Sequence, residues 1–239
     1  MKSKYLISAL LLNIPLFLTG CLVGTFDYKV SPDMVKSETS YSCTVSVDDF
    51  KDERPEIGSN RIMLYLIPGV PYASLYYNIP EDGRNYATLR RFDFNPTIQL
   101  AQAAELSLKQ SNLFKKVSSD NGYDDNDDAD FIFTGTIYST LYRQRLLSYC
   151  VSAACPAIWV LGAPGDWTQC HLKLGFSLVN VKTGKVLWTY TAANRKSRCI
   201  WLYYWGGDVK DYVPVMRECM NEAIINLIKT LKENPNLLK

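Results

Sequence analysis

Residues 146–165 form a run of twenty residues without a single charge. Twenty apolar residues are enough for one helix to cross a bilayer. The run also holds two prolines and two glycines after position 155, and these residues interrupt a straight helix. The fate of this run constrains the fold, because it is either a membrane span or part of the domain.

The segments on either side of the run decide between these two readings. Apolar residues alternate over 131–143 and again over 168–181, which predicts two β-strands. A single membrane crossing would put the two strands on opposite sides of the bilayer, where they could not pair. We therefore expect residues 146–165 to be a short helical or looped insertion with an apolar surface, inside an antiparallel pair.

The remaining pattern predicts an α+β domain over residues 43–239. Its sheet is expected to be mixed and mainly antiparallel, with two helices packed on one face and long apolar loops at one end. A tight turn at Lys182–Lys185 makes the hairpin the clearest local prediction. The predicted elements are strand 43–47, a loop-rich stretch 56–94, helix 96–111, a short edge strand 113–117, strands 131–143, 168–181 and 186–198, and helix 212–231.

The N-terminus has the layout of a secretory signal peptide over residues 1–20: two lysines, an apolar run, and then Leu18-Thr19-Gly20-Cys21. This ending resembles the lipobox of bacterial lipoproteins. The resemblance implies a mature chain that starts at Cys21, acyl chains on that cysteine, and a flexible tether over 21–42. Leu22 in place of Asp implies the outer membrane, on its periplasmic face. The alternative is an ordinary signal peptide with a chance cysteine.

Charge balance argues against nucleic-acid binding. The full sequence has 26 basic and 24 acidic residues, and residues 1–20 contain two lysines and no acid. The expected mature chain therefore carries 24 of each and is neutral. A neutral chain has no excess of cations to replace the counterions around phosphates.

Six of the seven cysteines remain once Cys21 is assigned to lipid. An even number in an oxidising compartment predicts at least one disulfide, although buried free thiols are the alternative. A metal site is disfavoured, because the sequence has one histidine and no Cys-x-x-Cys, so no cofactor is expected. The six cysteines are Cys43, Cys150, Cys155, Cys170, Cys199 and Cys219.

The predicted topology brings three aromatic loops to one end of the domain. Loop 146–165 and the run 199–205 leave the same edge of the sheet, and a parallel arrangement of strands 43–47 and 131–143 would add the tyrosine-rich loop 56–94. Such a patch is typical of a membrane or protein contact. Alternatively, the loops cover one another as a second small core. The candidate interaction residues are Trp159, Leu161, Trp167, Trp201, Tyr203, Tyr204 and Trp205.

We expect no enzymatic activity. His171 is the only histidine, and on its alternating strand it lies opposite the apolar face, so no Ser-His-Asp arrangement is predicted around it. The acidic residues of loop 48–53 are typical of a salt-bridged or solvated turn. Segment 119–130 is also acidic, but it lacks the Gly and Glu positions of a calcium-binding loop.

Four short motifs resemble those of small Gram-negative outer-membrane lipoproteins. They are VSVDDFKDERPEIG over 45–58, SNLFKKV over 111–117, ADFIFTGTI over 129–137 and VKTGKVLW over 181–188. The group includes the YajG-type lipoproteins, the curli secretion lipoprotein, the Pel polysaccharide lipoprotein and the lipoprotein activators of penicillin-binding proteins.

This resemblance implies a non-catalytic role in envelope assembly, export or regulation, and it transfers no site residues. The expected partners are the membrane, through lipid on Cys21, and either a second copy of the chain or another envelope protein. The alternative is an accessory lipoprotein for transport that binds a lipid or a glycan in an aromatic pocket under the loops.

Overall fold

The structure is a computed structural model that describes residues 24–25, 27–79, 92–119, 129–203 and 211–238. The predicted signal peptide, Cys21, Tyr204, Trp205 and most of the acidic segment 119–130 lie outside the described residues.

The described residues form an α+β fold. The strands are β1 (Gly24–Thr25), β2 (Tyr41–Val47), β3 (Lys51–Asp52), β4 (Gly58–Arg61), β5 (Tyr72–Tyr77), β6 (Phe92–Asp93), β7 (Phe114–Ser119), β8 (Phe131–Ser139), β9 (Tyr142–Leu147), β10 (Pro164–Asn180) and β11 (Val186–Trp201). The helices are α1 (Pro96–Ser111), α2 (Cys155–Val160) and α3 (Tyr212–Glu233), with short 3₁₀ helices at Ile62–Leu66 and Ser152–Ala154.

Nine of the strands in the described part of the chain belong to one mixed, mainly antiparallel sheet, and β1 pairs with β6 apart from it. The sheet runs β4-β5-β9-β10-β8-β2-β7, β11 pairs with β10, and β3 pairs with β8. The β2–β8 pair is parallel, as predicted from the crossover through α1. β10 is long enough to pair with β9 over its first half and with β8 over its second half.

The β10–β11 hairpin consists of the two longest strands of the described sheet. The predicted hairpin is confirmed, but its strands have 17 and 16 residues and extend further than the alternation indicated. Cys170 pairs with Lys196, and a bulge shifts the register of the pair by one residue between Leu178 and Val179.

The core lies between the sheet and the helices α1 and α3. Leu172, Leu174 and Phe176 point into it from β10, since alternate residues of a strand share a face. Met216, Met220, Ile224 and Leu227 repeat every three or four residues along α3 and are all at most 2% exposed. Burying each of these side chains stabilises the fold by roughly 1.5–3 kcal/mol.

The predicted strand 131–143 is divided in two at Thr140, which belongs to neither β8 nor β9. Asn78 holds this break: its Oδ1 accepts the N–H of Thr140 at 3.1 Å, and its carbonyl accepts the Thr140 hydroxyl at 2.6 Å. The Tyr212 hydroxyl donates to the Thr140 carbonyl at 2.6 Å. Side chains thus replace the strand partners that the backbone lacks at this point.

Arg54 joins the acidic loop to the same break. Its guanidinium is bidentate to Asp52, with N–O distances of 2.8 and 2.6 Å, and it also donates to the Thr140 hydroxyl at 2.7 Å. The side chain of Arg54 is only 2% exposed. Loop 48–53 therefore includes a salt-bridged turn, as expected, and Asp52-Glu53-Arg54 of the motif VSVDDFKDERPEIG has a structural role.

Three sequence expectations differ from the structure. The loop-rich stretch 56–94 contains strands β4 and β5, which pair with each other and with β9. Part of the expected flexible tether packs on the domain: Met34 is buried, and the Tyr28 hydroxyl lies 2.9 Å from Ser107 Oγ of α1. The third difference concerns the cysteines.

No disulfide joins the six cysteines of the described residues, so the predicted disulfide is wrong for this structure. Cys155, Cys170 and Cys219 are buried, whereas Cys150 and Cys199 are exposed. Cys170 and Cys199 lie three positions out of register, because Trp167 is the cross-strand partner of Cys199. The alternative, thiols buried outside any disulfide, describes three of the six.

Candidate functional site: the apolar tip

Three uncharged segments, residues 62–74, 146–165 and 199–203, meet at one end of the sheet, as the predicted topology requires. The Gly69 N–H donates to the Cys150 carbonyl at 3.0 Å, and the Ser152 hydroxyl donates to the Leu66 carbonyl at 2.6 Å. The Tyr203 hydroxyl donates to the Val160 carbonyl at 2.8 Å. Hydrogen bonds therefore fix the three loops to one another.

Loop 148–152 makes a sharp turn at this end. Tyr149, Cys150 and Ser152 have φ values of 53°, 64° and 54°, in the left-handed region that residues other than glycine seldom adopt. The Tyr149 hydroxyl donates to the Pro164 carbonyl at 2.7 Å, which ties the turn to the start of β10. The hydrogen bonds around the turn offset the cost of this backbone conformation.

Helix α2 divides the apolar side chains between an inner and an outer side. The Trp159 Nε1–H donates to the Leu147 carbonyl at 3.0 Å, and its ring covers Gly165, where a Cβ would lie 3.4 Å from Trp159 Cδ2. Val160 and Leu161 follow on the other side and are 56% and 87% exposed. One tryptophan thus anchors the helix while the next two residues face outward.

The exposed side chains form a patch that we call the apolar tip. Its members come from all three segments and carry no charge. They are Met63, Leu66, Ile67, Val151, Val160, Leu161, Trp201 and Tyr203, each at least 40% exposed. Scattered surface hydrophobics are ordinary, but a contiguous patch usually marks an interaction surface.

The candidate residues from the sequence have different positions at this end. Leu161, Trp201 and Tyr203 belong to the exposed tip, whereas Trp159 and Trp167 are half-buried and support it. Both sequence readings thus have a structural counterpart, since the loops cover one another on the inside and expose apolar side chains on the outside. Sequence reasoning missed Met63, although the uncharged run 62–74 was a readable signal.

A band of cations follows the tip along the strands. Arg145 lies two residues before Leu147 on β9, and its guanidinium carbon is 5.1 Å from the centre of the Tyr72 ring and 5.0 Å from that of Trp167. Arg143 is 5.9 Å from the centre of the Tyr76 ring. Arginine over an aromatic face is a favourable cation–π arrangement.

The neighbourhood of the histidine does not have the geometry of an activated nucleophile. The Ser139 hydroxyl donates to Asn78 Oδ1 at 2.8 Å and lies 3.4 Å from His171 Nδ1. With its proton donated to the Asn78 amide, the Ser139 hydroxyl can only accept from His171, so the imidazole does not act as its base in this arrangement. Burial lowers the pKa of His171, and the positive charges of Lys173 and Arg195 lower it further.

Two further observations concern ligands. Within the described ranges, no group of three or more His, Cys, Asp or Glu side chains is placed to hold a metal ion. A groove of about 360 Å³ lies against α3, lined by Val35, Ile225, Ile228, Lys229, Lys232 and Glu233. It is formed by the helix and the segment before β2, and none of its lining residues belongs to the aromatic loops.

None of the helices in the described part of the chain combines the length and the apolar character needed to cross a membrane. Residues 146–165 instead comprise the end of β9, a turn, a 3₁₀ helix, the short helix α2 and the start of β10. The expected short insertion inside an antiparallel pair is therefore confirmed.

Comparison with known proteins gives only distant similarities. No protein-family model matches the chain. No curated protein matches it either. Among solved structures, a DUF330-family protein from Xanthomonas campestris has a TM-score of 0.46 and 11% identity, covering 90% of this chain and 98% of that one.

Two other solved structures are similar at a lower score. A PelC dodecamer from Paraburkholderia phytofirmans has a TM-score of 0.39 and 11% identity, covering 79% of this chain and 90% of that one. A homologue of neuraminyllactose-binding hemagglutinin from Helicobacter pylori has a TM-score of 0.38 and 12% identity, covering 91% and 97%. Identity is at most 12% and the TM-score is below 0.5 for all three of these structures.

Proposed function

We propose that this chain is a non-catalytic lipoprotein of the bacterial envelope, anchored by lipid on Cys21, whose apolar tip contacts a membrane leaflet. The observation that carries the proposal is the tip itself: eight exposed apolar side chains from three uncharged segments. Trp, Tyr and aliphatic side chains in this combination suit the interface between lipid headgroups and acyl chains.

The exposure of the tip favours a membrane contact over the alternative in which the loops only cover one another as a second small core. Leu161 is 87% exposed although hydrogen bonds hold the backbone around it in place. A side chain so presented gains roughly 25 cal/mol per Å² of apolar surface when it enters an apolar phase. The lipid on Cys21 would hold the chain at the membrane, so a tip of modest affinity suffices.

A vesicle-flotation experiment tests the tip separately from the lipid. Residues 22–239 are mixed with neutral phosphatidylcholine vesicles, and the bound fraction is measured for the wild type and for Val160→Asp/Leu161→Asp. The matched control is Val186→Asp/Ile225→Asp, two apolar residues exposed elsewhere on the domain. We expect the tip variant to lose at least four-fifths of the binding and the control to retain it.

Two results would overturn the membrane contact. Equal binding by both variants would separate membrane affinity from the tip. A discrete oligomer without vesicles, dissociated only by the tip variant, would make the tip a contact between copies of the chain. The anchor has its own test: the mature protein should carry acyl mass at its N-terminus, and Cys21→Ser should carry none.

A further inference from the structure

A second surface, independent of the tip, lies on the sheet face that turns away from the core. Directly opposite residues of an antiparallel pair share a face. The strand register therefore gives the residues of this face as rows that run across the strands. The first row behind the tip is Arg61, Ser74, Arg145, Trp167 and Cys199 across β4, β5, β9, β10 and β11. The next row is Ser59, Tyr76, Arg143, Gln169 and Ser197.

Two further rows continue along the hairpin. His171 pairs with Arg195, and Lys173 pairs with Ala193 on one side and Ser139 on the other. We call this surface the cationic face and define it by its five cations, which are Arg61, Arg143, Arg145, Lys173 and Arg195. None of its four rows contains an Asp or a Glu.

The five cations of this face are not neutralised within the described part of the chain. None of them forms an ion pair there, whereas Arg54 and Arg198 each pair with an aspartate. Aromatic rings lie among them instead: Lys173 Nζ is 5.5 Å from the centre of the Tyr138 ring, and Arg145 lies over Tyr72 and Trp167. Lys173 and Arg195 are exposed to solvent, and Arg143 and Arg145 are half-buried.

The dimensions decide what kind of anion fits. The row of Arg145 and the row of Lys173 are six residues apart along β10, which is roughly 20 Å at about 3.3 Å per residue. The headgroup layer on each side of a bilayer is about 5–7 Å thick. With the strands upright on the membrane, a leaflet that receives the tip reaches Arg61 and Arg145 and leaves Lys173 and Arg195 in water.

We propose that the cationic face binds an acidic polysaccharide, a linear polymer whose carboxylates or phosphates pair with Arg143, Lys173 and Arg195, and with Arg61 and Arg145 when no membrane covers that row. An extended polymer can follow the strands for the full 20 Å, as estimated from the strand rise, and the aromatic rings offer apolar faces to its sugar rings. The alternation of guanidinium groups and rings suits a ligand that is both charged and partly apolar. The site is distinct from the apolar tip, so its test leaves the membrane proposal untouched.

Binding is measured with the full chain in neutral detergent micelles and three probes: polygalacturonate, neutral dextran and a single-stranded DNA oligonucleotide. The test variant is Arg143→Gln/Lys173→Gln/Arg195→Gln. The matched control is Lys115→Gln/Lys116→Gln/Lys185→Gln, which removes three exposed charges from β7 and the hairpin turn. We expect the test variant to weaken polygalacturonate binding at least tenfold, the control to change it less than twofold, and dextran not to bind.

The pKa of His171 supplies a second readout, which would not change if the three substituted cations only stabilised the fold. Polygalacturonate bound across Lys173 and Arg195 should raise the pKa of His171 measured by NMR, because it offsets the positive charges that face this ring. Equal weakening by both triple variants, an unchanged pKa of His171 at saturation, or tighter binding of DNA than of polygalacturonate would each overturn the proposal.

Discussion

The ring of Phe50 occupies the space that a side chain at Gly135 would need. A Cβ built on Gly135 would lie 2.5 Å from Phe50 Cδ2, well inside van der Waals contact. Phe50 is buried and cannot turn away, because its ring packs edge-on against Phe176 with centroids 5.9 Å apart. The glycine of the ADFIFTGTI motif is thus explained by the ring that crosses it.

Gly135→Ala should therefore destabilise the domain by about 1–3 kcal/mol through overpacking. The matched control is Gly175→Ala on the neighbouring strand, where the obstacle is the ring of Tyr138, which is 37% exposed and free to move outward. Urea unfolding followed by circular dichroism compares the two. A control as destabilised as Gly135→Ala would contradict the assignment of the effect to the buried ring.

Asp52→Asn should lower the free energy of unfolding by about 1.5–3 kcal/mol, the range for hydrogen bonds to charged groups. It removes the carboxylate that pairs with the buried guanidinium of Arg54. The control Glu53→Gln removes an exposed carboxylate paired with Lys51, and it should lower the free energy of unfolding much less, because solvent screens this pair.

The Asp52 pair also predicts an acid dependence. Hydrogen bonding to Arg54 holds the pKa of Asp52 below its ordinary value of 3.8. The stabilisation is fully present above that value and is lost as the pH falls through the lower, folded-state pKa. The difference in unfolding free energy between wild type and Asp52→Asn should shrink in that window, and a constant difference would separate the effect from ionisation.

Thiol alkylation of the native chain at pH 8 should label Cys150 and Cys199 first. Both are exposed, whereas Cys155, Cys170 and Cys219 are buried. Cys43 should react slowly, since burial and the charge of Asp130 raise its pKa to about 11 and keep it protonated. Mass spectrometry after digestion measures the order, and labelling of all six cysteines only after reduction would restore the predicted disulfide.

His171 should titrate below its ordinary pKa of 6.5, because it is partly buried and faces Lys173 and Arg195. Arg195→Gln should raise the pKa of His171, and Lys185→Gln in the distant turn should leave it unchanged. Since the folded-state pKa is depressed, this histidine favours folding above pH 6.5, and that contribution is lost as the pH falls through the folded value. NMR titration of the only histidine in the chain gives the answer directly.

Local patterns predicted the hairpin, both long helices and the insertion at 146–165. Alternation with a period of two and a turn at 182–185 specify a hairpin within a few residues, so no distant partner is needed. Strand β4 escaped prediction because Gly58–Arg61 has no apolar alternation and becomes a strand only by pairing with β5. The burial of Met34 was not predicted for a similar reason, because the segment around it is polar and only this one side chain of it is buried in the core.

The class of fold and the three uncharged segments can be predicted from the chain alone, because both depend on the order of its residues. Which thiols are buried, which tryptophans anchor the tip and where the charges lie depend on how the strands and helices pack. The cationic face shows why. Net charge is a sum over the chain, whereas the pairing of β4, β5, β9, β10 and β11 brings Arg61, Arg145 and Arg195 onto one surface.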